Sequence, residues 1–232
     1  SACEKGEQWE RALHFLTEMR ESSLVSDVIS YNSAISACGR AARWQWALEI
    51  LKHMQERDLE PNVISYNGAI SALEKGEQWE RALAVLIVMQ THSLEPDVIS
   101  FSAAISSCAK GVQWERALGL LNEMRTELLK TDVISYSAAI SACLKGEQWE
   151  QVLILLIEMN RHNLDPNVIS YSAAISACEK AEQWEQALGI FAEMQKKEVE
   201  VDVIIYSAAI SACVDGGQLD KGVELLWEAK EC

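Results

Sequence analysis

Proline, glycine and basic residues are all scarce in this sequence. With 3 Pro and 11 Gly among 232 residues, the chain lacks the composition of a disordered or low-complexity segment. No apolar run approaches the roughly 18 residues that a membrane-spanning helix needs, so no membrane insertion is expected. Only 20 basic residues stand against 35 acidic ones, and a net charge of −15 should on average repel nucleic acid. Because 49% of the residues are hydrophobic, a well-packed fold is nevertheless expected.

Closely spaced cysteine pairs are also missing. Zinc sites favour short Cys-x-x-Cys pairs, and the sequence contains none. Six of the seven cysteines recur at one repeated position, where one copy carries Leu73 instead: Cys3, Cys38, Cys108, Cys143, Cys178 and Cys213. Exchange with leucine favours a small buried apolar position over a metal or disulfide site. No metal or cofactor is expected, and the free thiols indicate a reducing, intracellular setting.

The sequence repeats every 35 residues without insertion or deletion. The opening Asp/Asn-Val-Ile recurs at Asp27, Asn62, Asp97, Asp132, Asn167 and Asp202. Five complete repeats are expected at 28–62, 63–97, 98–132, 133–167 and 168–202, with partial repeats at 1–27 and 203–232, as one array over 1–232. A fixed period of this length is typical of stacked copies of one small unit.

Each repeat is predicted to form two helices. Val28, Tyr31, Ile35 and Cys38 follow the spacing of one apolar helical stripe, and Asp27 or its equivalents supply an N-cap. A Gly or Ala after the basic residue is expected to end this first helix, as at Gly76. The second helix begins near Trp and carries its own stripe. The predicted fold is all-α, a right-handed α-solenoid superhelix of helix-turn-helix repeats.

A second face of the first helix carries a recurrent pattern. Ile29, Asn32, Ser36 and Arg40 lie within one arc of the helix. The arc ends in a cation in successive copies: Lys5, Arg40, Lys75, Lys110, Lys145 and Lys180. An apolar, polar and basic ladder of this kind suits single-stranded nucleic acid. The same columns also have simpler explanations, since Asn or Asp caps a helix, Ser is often only solvated, and a terminal cation complements the helix dipole.

These motifs resemble those of the pentatricopeptide repeat family. Four motifs carry the resemblance over nearly the whole chain: the Val-Ile-Ser-Tyr-Asn opening, the Lys-Gly turn, the Ala-Leu-x-Leu-Leu-x-Glu-Met second helix and the Pro-Asn/Asp ending. The uniform 35-residue period resembles the P-type subclass. The tetratricopeptide repeat differs in its 34-residue period and its Trp-x-x-Leu-Gly-x-x-Tyr signature.

The resemblance implies RNA read one base per repeat by two residues, with the N-terminal repeats toward the 5′ end. The implied base-reading pairs are Asn32 with Asn62, Asn67 with Asp97, Ser102 with Asp132, Ser137 with Asn167, and Ser172 with Asp202. The family code gives these pairs a pyrimidine, U, G, A and G, so the expected target is 5′-Y-U-G-A-G-3′. The residues implied to sandwich bases are Ile29, Ile64, Ile99, Ile134, Ile169 and Ile204, and the cation column would contact phosphates.

Two functions from different classes follow. The resemblance implies sequence-specific RNA binding in a mitochondrion or plastid, in RNA stabilisation, processing or translation. The alternative is a protein-binding helical scaffold within a larger assembly, which the acidic charge favours. No enzyme is expected, because His14, His53, His92 and His162 share no constellation and the deaminase pattern His-x-Glu with Cys-x-x-Cys is missing.

Overall fold

The computed structural model describes residues 9–12, 14, 18 and 27–231. Six helices open the repeats: α1 (Val28–Arg40), α3 (Val63–Lys75), α5 (Val98–Lys110), α7 (Val133–Lys145), α9 (Val168–Lys180) and α11 (Val203–Asp215). Each is followed by a second helix: α2 (Trp44–Glu56), α4 (Trp79–Thr91), α6 (Trp114–Thr126), α8 (Trp149–Arg161), α10 (Trp184–Lys196) and α12 (Leu219–Glu231). The predicted alternation of two helices per repeat is therefore confirmed.

Every described first helix begins at the predicted cap. Asn62 and Asp97 have extended backbone, and their side-chain oxygens accept a hydrogen bond from the N–H three residues on. The serine at that position returns a hydroxyl contact to the cap residue, which completes a capping box. The cap satisfies backbone donors that have no partner within the helix, so it sets the same starting point in each repeat.

The turn after the first helix corrects one expectation. The helix ends at Lys75 as predicted, but Gly76 has φ −84°, a value open to any residue. The left-handed residue is the next one, Glu77, with φ 57°. Glycine is favoured for a different reason, since a Cβ at Gly76 would clash with Cδ1 of Trp44 in the preceding repeat. The guanidinium of Arg81 lies 4.4 Å above the centre of the same indole, which holds the ring from a second side.

The chain forms two compact units, residues 1–111 with 122–130 and residues 112–121 with 131–232. In the first unit, α1 packs on α2 and α3, and α3 packs on α4 and α5. In the second unit, α7 packs on α8 and α9, and α9 packs on α10 and α11. Each of these four first helices thus contacts both its own partner and the next first helix, as in an α-solenoid of stacked repeats. The predicted all-α, helix-turn-helix repeat fold is confirmed.

Small and large side chains share the core between these helices. Tyr66, Ile70 and Leu73 of α3 are fully buried, together with Met89 of α4. The tryptophans that open the second helices lie at the margin of this core and are half-buried. None of the described helices, each of 13 residues, has the length and apolarity needed to cross a membrane.

The cysteine column belongs to this core. Cys38, Cys108, Cys143, Cys178 and Cys213 are buried, and burial raises the pKa of the Cys38, Cys143 and Cys178 thiols to about 11. The packing interpretation is confirmed for these five, while Cys3 lies outside the described residues. No cluster of His, Cys, Asp and Glu that could hold a metal occurs in the described part of the chain.

Replacement by alanine is expected to change stability in opposite directions at Gly76, which contacts Trp44, and at Gly119, which has no such contact. We expect Gly76→Ala to lower the free energy of unfolding by about 1 kcal/mol. Overpacking against Trp44 destabilises the folded state by more than the lower conformational entropy of the unfolded chain stabilises it. Gly119→Ala is the matched control, since that helical position has no atom within 4 Å of an added Cβ. It should gain about 0.5–1 kcal/mol from helix propensity. Urea unfolding measures both, and equal changes would contradict the role of the Trp.

Candidate nucleic-acid interface

An exposed isoleucine stands at the second position of every described first helix. The exposed fractions are 73% for Ile29, 66% for Ile64, 62% for Ile99, 66% for Ile134, 59% for Ile169 and 66% for Ile204. We call these six residues the Ile column. Other apolar side chains of the same helices, such as Tyr66 and Ile70, are fully buried. The Ile column is therefore not used for packing within the repeats and presents one branched apolar group per repeat to solvent.

Residues predicted to read a base together lie side by side in three repeats. Asn32 Nδ2 donates to Asn62 Oδ1 at 3.2 Å, and Asn67 Nδ2 donates to Asp97 Oδ1 at 2.9 Å. Ser137 Oγ donates to Asn167 Oδ1 at 3.3 Å. Each bond joins positions 30 residues apart, at the junction between one first helix and the next. We call them reading pairs.

The other two predicted pairs are Ser172 with Asp202 and Ser102 with Asp132. Ser172 is half-buried on α9, and Asp202 is the exposed cap of α11. Ser102 is buried in the first unit and Asp132 is half-buried in the second. All four side chains lie on or beside first helices, as the sequence predicts.

The cap and the reading pair use the same oxygen. In Asp97, Oδ1 accepts from the Ser100 N–H at 2.9 Å as well as from Asn67. Burial raises the pKa of Asp97, but the hydrogen bonds from Ser100 and Asn67 outweigh burial and hold the pKa below its ordinary value. The carboxylate is therefore charged at neutral pH. Capping and base reading, which the sequence left as alternatives, are compatible in one side chain.

Capping also determines which terminal atom of the Asn or Asp side chain points away from the helix. Only an oxygen can accept the Ser65 N–H, so Asn62 must direct Oδ1 to the cap, at 3.2 Å. Its other terminal atom is then the Nδ2 donor. In Asp97 the corresponding atom is Oδ2, an acceptor. An Asn cap and an Asp cap thus offer opposite hydrogen-bonding groups from the same geometry.

A serine at the third position of the first helix was not predicted to belong to the site. Ser65 Oγ donates to Asn32 Oδ1 of the preceding repeat at 2.6 Å, and Ser100 Oγ donates to Asn67 Oδ1 at 2.5 Å. We call Ser65, Ser100 and Ser170 the cap serines. The recurrent Val-Ile-Ser is their sequence signal, although a serine three residues after a cap also has an ordinary role in a capping box.

The cation column is accessible at most positions. Arg40, Lys75, Lys145 and Lys180 are exposed, whereas Lys5 lies outside the described residues. Lys110 is already paired, since its Nζ lies 2.8 Å from Glu74 Oε1 and donates to the Glu74 carbonyl at 3.0 Å. Ser106 Oγ also donates to Glu74. An acidic side chain thus lies beside the column, contrary to a purely basic edge.

Comparison with known proteins gives one family throughout. The model described as "Pentatricopeptide repeat domain" matches residues 154–216, and "PPR repeat family" matches 26–75 and 61–110. A third, "PPR repeat", matches 99–127, 134–164 and 204–232. No curated protein sequence matches the chain.

Solved structures share the fold. The pentatricopeptide repeat protein PPR10 from maize is 22% identical with a TM-score of 0.70, and the match covers 97% of this chain and 32% of PPR10. PPR10 in complex with an 18-nt psaJ RNA element is 18% identical with a TM-score of 0.61, covering 97% of this chain and 37% of that one. The PPR domain of Arabidopsis thaliana protein-only RNase P 1, in complex with tRNA, is 13% identical with a TM-score of 0.65, covering 70% and 86% respectively.

This chain spans about a third of the length of PPR10. Together the family models match residues 26–127 and 134–232. The chain belongs to the pentatricopeptide repeat family.

Proposed function

We propose that the repeats act as a single array that binds single-stranded RNA and reads one base per repeat. The observation that carries this proposal is the junction between first helices, where an exposed isoleucine adjoins a hydrogen-bonded reading pair. Ile64 and Ile99, for example, flank the pair formed by Asn67 and Asp97 in sequence. An apolar side chain can pack on a base plane, while a fixed polar pair meets the base edge.

Donor and acceptor chemistry supports a base preference at each pair. An Asp cap leaves an acceptor, which suits the N3–H of U or the N1–H of G. An Asn cap leaves a donor, which suits N3 of C or N1 of A. The caps run Asn62, Asp97, Asp132, Asn167 and Asp202, which is consistent with 5′-Y-U-G-A-G-3′. The pyrimidine or purine choice at each position is carried over from the family resemblance.

The PPR10 and RNase P structures contain RNA, as an 18-nt psaJ element and as tRNA. They support an RNA ligand for the same fold here. We extend the proposal to RNA stabilisation, processing or translation in a mitochondrion or plastid. This assignment rests on the family resemblance and is tested by locating the protein in fractionated cells.

The direct test compares two labelled RNA strands of equal composition. A strand with C-U-G-A-G within a uniform flank is expected to bind more tightly than one with G-A-C-G-U. If six cations each release one counterion, log affinity should fall with log salt at a slope of about −4. Equal binding of both strands, or binding that salt does not weaken, would overturn the proposal.

A protein-binding scaffold is the second candidate. The net charge of −15 favours it, as do exposed apolar residues on second helices, such as Ile87 and Ile157. RNA binding without base preference, together with salt-insensitive binding of a protein partner, would favour this function over base reading.

A further inference from the structure

Each cap serine links two repeats through one hydroxyl. The contact spans 33 residues, from Ser65 to Asn32 at 2.6 Å and from Ser100 to Asn67 at 2.5 Å. A third contact joins the Ser170 and Ser137 hydroxyls at 2.9 Å. All three cap serines are fully buried. The first residue of a reading pair is therefore held by the following repeat as well as by its own partner.

The hydroxyl of Ser100 has one proton to donate. Its oxygen accepts from the Asp97 N–H at 3.1 Å, which completes the cap. The proton has three acceptors within reach: Asn67 Oδ1 at 2.5 Å, Asp97 Oδ1 at 3.0 Å and Met89 Sδ at 3.8 Å. The shortest contact, to Asn67, is favoured, because hydrogen bonds weaken with distance and sulfur is a weak acceptor.

Two bonds then fix the orientation of the Asn67 amide. Its Oδ1 accepts from Ser100, and its Nδ2 donates to Asp97 Oδ1 at 2.9 Å. Turning the amide over would place its oxygen against the charged Asp97 oxygen, which is unfavourable. One N–H of Nδ2 is left to face a base. Asn67 thereby presents a donor of known direction, which suits a carbonyl oxygen of U.

We propose that the cap serine is a positioning residue for base selection by the preceding repeat. The inference rests on the proposed RNA-binding function. It assigns a third residue to the bases read through Asn32, Asn67 and Ser137, outside the reading pair and outside the Ile column. The last repeat provides a natural exception, because Ile205 occupies the cap-serine position there. Its preceding reading residue, Ser172, is only half-buried, whereas Ser137 beside Ser170 is buried.

The test variant is Ser100→Ala, read by two measurements. Without RNA, NMR should show that the Asn67 Nδ2 proton bonded to Asp97 exchanges with solvent faster than in the parent, because the amide has lost the bond that fixes its orientation. With RNA, the preference for U over the other bases at the Asn67 position should fall about 3- to 10-fold, the value of one net hydrogen bond. Preferences at the other positions should stay unchanged.

Ser135→Ala is the matched control. Ser135 completes the same kind of capping box with Asp132, whose N–H donates to Ser135 Oγ at 3.2 Å, but the Ser135 hydroxyl donates to the Asp132 carbonyl at 2.9 Å. It should lose the capping contribution without changing any base preference. Ile205→Ser is the converse variant, and it should sharpen the preference at the Ser172 position.

The outcomes separate the two proposals. A parent chain that discriminates no base overturns the proposed function, and this inference with it. If the parent discriminates and Ser100→Ala discriminates equally well, only the inference is overturned. An Asn67 amide that stays protected in Ser100→Ala would overturn it as well.

Discussion

An Ile99→Asp chain is expected to fold normally and to bind the C-U-G-A-G strand at least about tenfold more weakly than the parent. Ile99 is 62% exposed at the start of α5, so its loss removes little packing. An acid near a helix N-terminus is also favourable to the helix dipole. On the RNA side, the change removes an apolar contact with a base and adds a negative charge near phosphates.

Ile87→Asp is the control for this effect. Ile87 lies on α4, a second helix, and its exposed fraction of 58% is close to that of Ile99. Both variants lose the same apolar group and gain the same charge, so non-specific electrostatics affects them alike. Fluorescence anisotropy gives both affinities, and urea unfolding checks stability. Equal weakening by the two variants would contradict a specific role for the Ile column.

The distribution of charge is compatible with the proposed RNA binding, despite the net charge of −15. Many acids lie in the first turn of the second helices, including Glu80, Glu115 and Glu150. The accessible cations of the column end the first helices instead. Exposed charges are screened beyond roughly 8 Å at physiological salt, so the local sign matters more than the total. Glu74 reduces that advantage at Lys110, which makes Lys110 the weakest expected phosphate contact among the described cations.

The helices were predictable because the 35-residue repeat shows the same start and end signals in every copy. Six copies of Asp/Asn-Val-Ile place a capping side chain before the same apolar stripe each time, and the described first helices start there. The buried cysteines followed from the exchange with Leu73, which is itself fully buried. Local periodicity and capping are sequence-local effects, so the sequence shows them directly.

Contacts between repeats were harder to predict. The clash between a Cβ at Gly76 and Trp44 joins residues 32 positions apart, and the Ser100–Asn67 bond joins residues 33 apart. Both depend on the register in which one helix pair stacks on the next, which no local pattern encodes. A glycine after a helix is explained by helix termination, and a serine three residues after a cap is explained by the capping box. These local roles are sufficient, so nothing in the sequence indicates a contact with the preceding repeat.

The cap geometry leads to the other large expected effect, in Asp97→Asn. The new amide can keep Oδ1 on the Ser100 N–H and on Asn67 Nδ2, as Asn62 does with Ser65 and Asn32 at 3.2 Å each. The outward atom changes from an acceptor to a donor. Against U, that donor would face the N3–H and leave it unpaired, at a cost of about 1–3 kcal/mol, whereas N3 of C would accept from it. The preference for U over C at this position should fall by about tenfold or more.

Two strands that differ only in U or C at the base read by Asn67 and Asp97 measure this ratio directly. Asp27→Asn is the matched control, because Asp27 caps α1 through Ser30 and removal of its charge changes the net charge equally. Asp27 lies two repeats before Asp97, so its replacement should leave the U to C ratio at the position of Asn67 and Asp97 unaltered. A ratio that shifts in both variants would assign the effect to net charge or capping. A shift confined to Asp97→Asn would mean that one atom of a helix cap, held in place by the cap itself, selects between two pyrimidines.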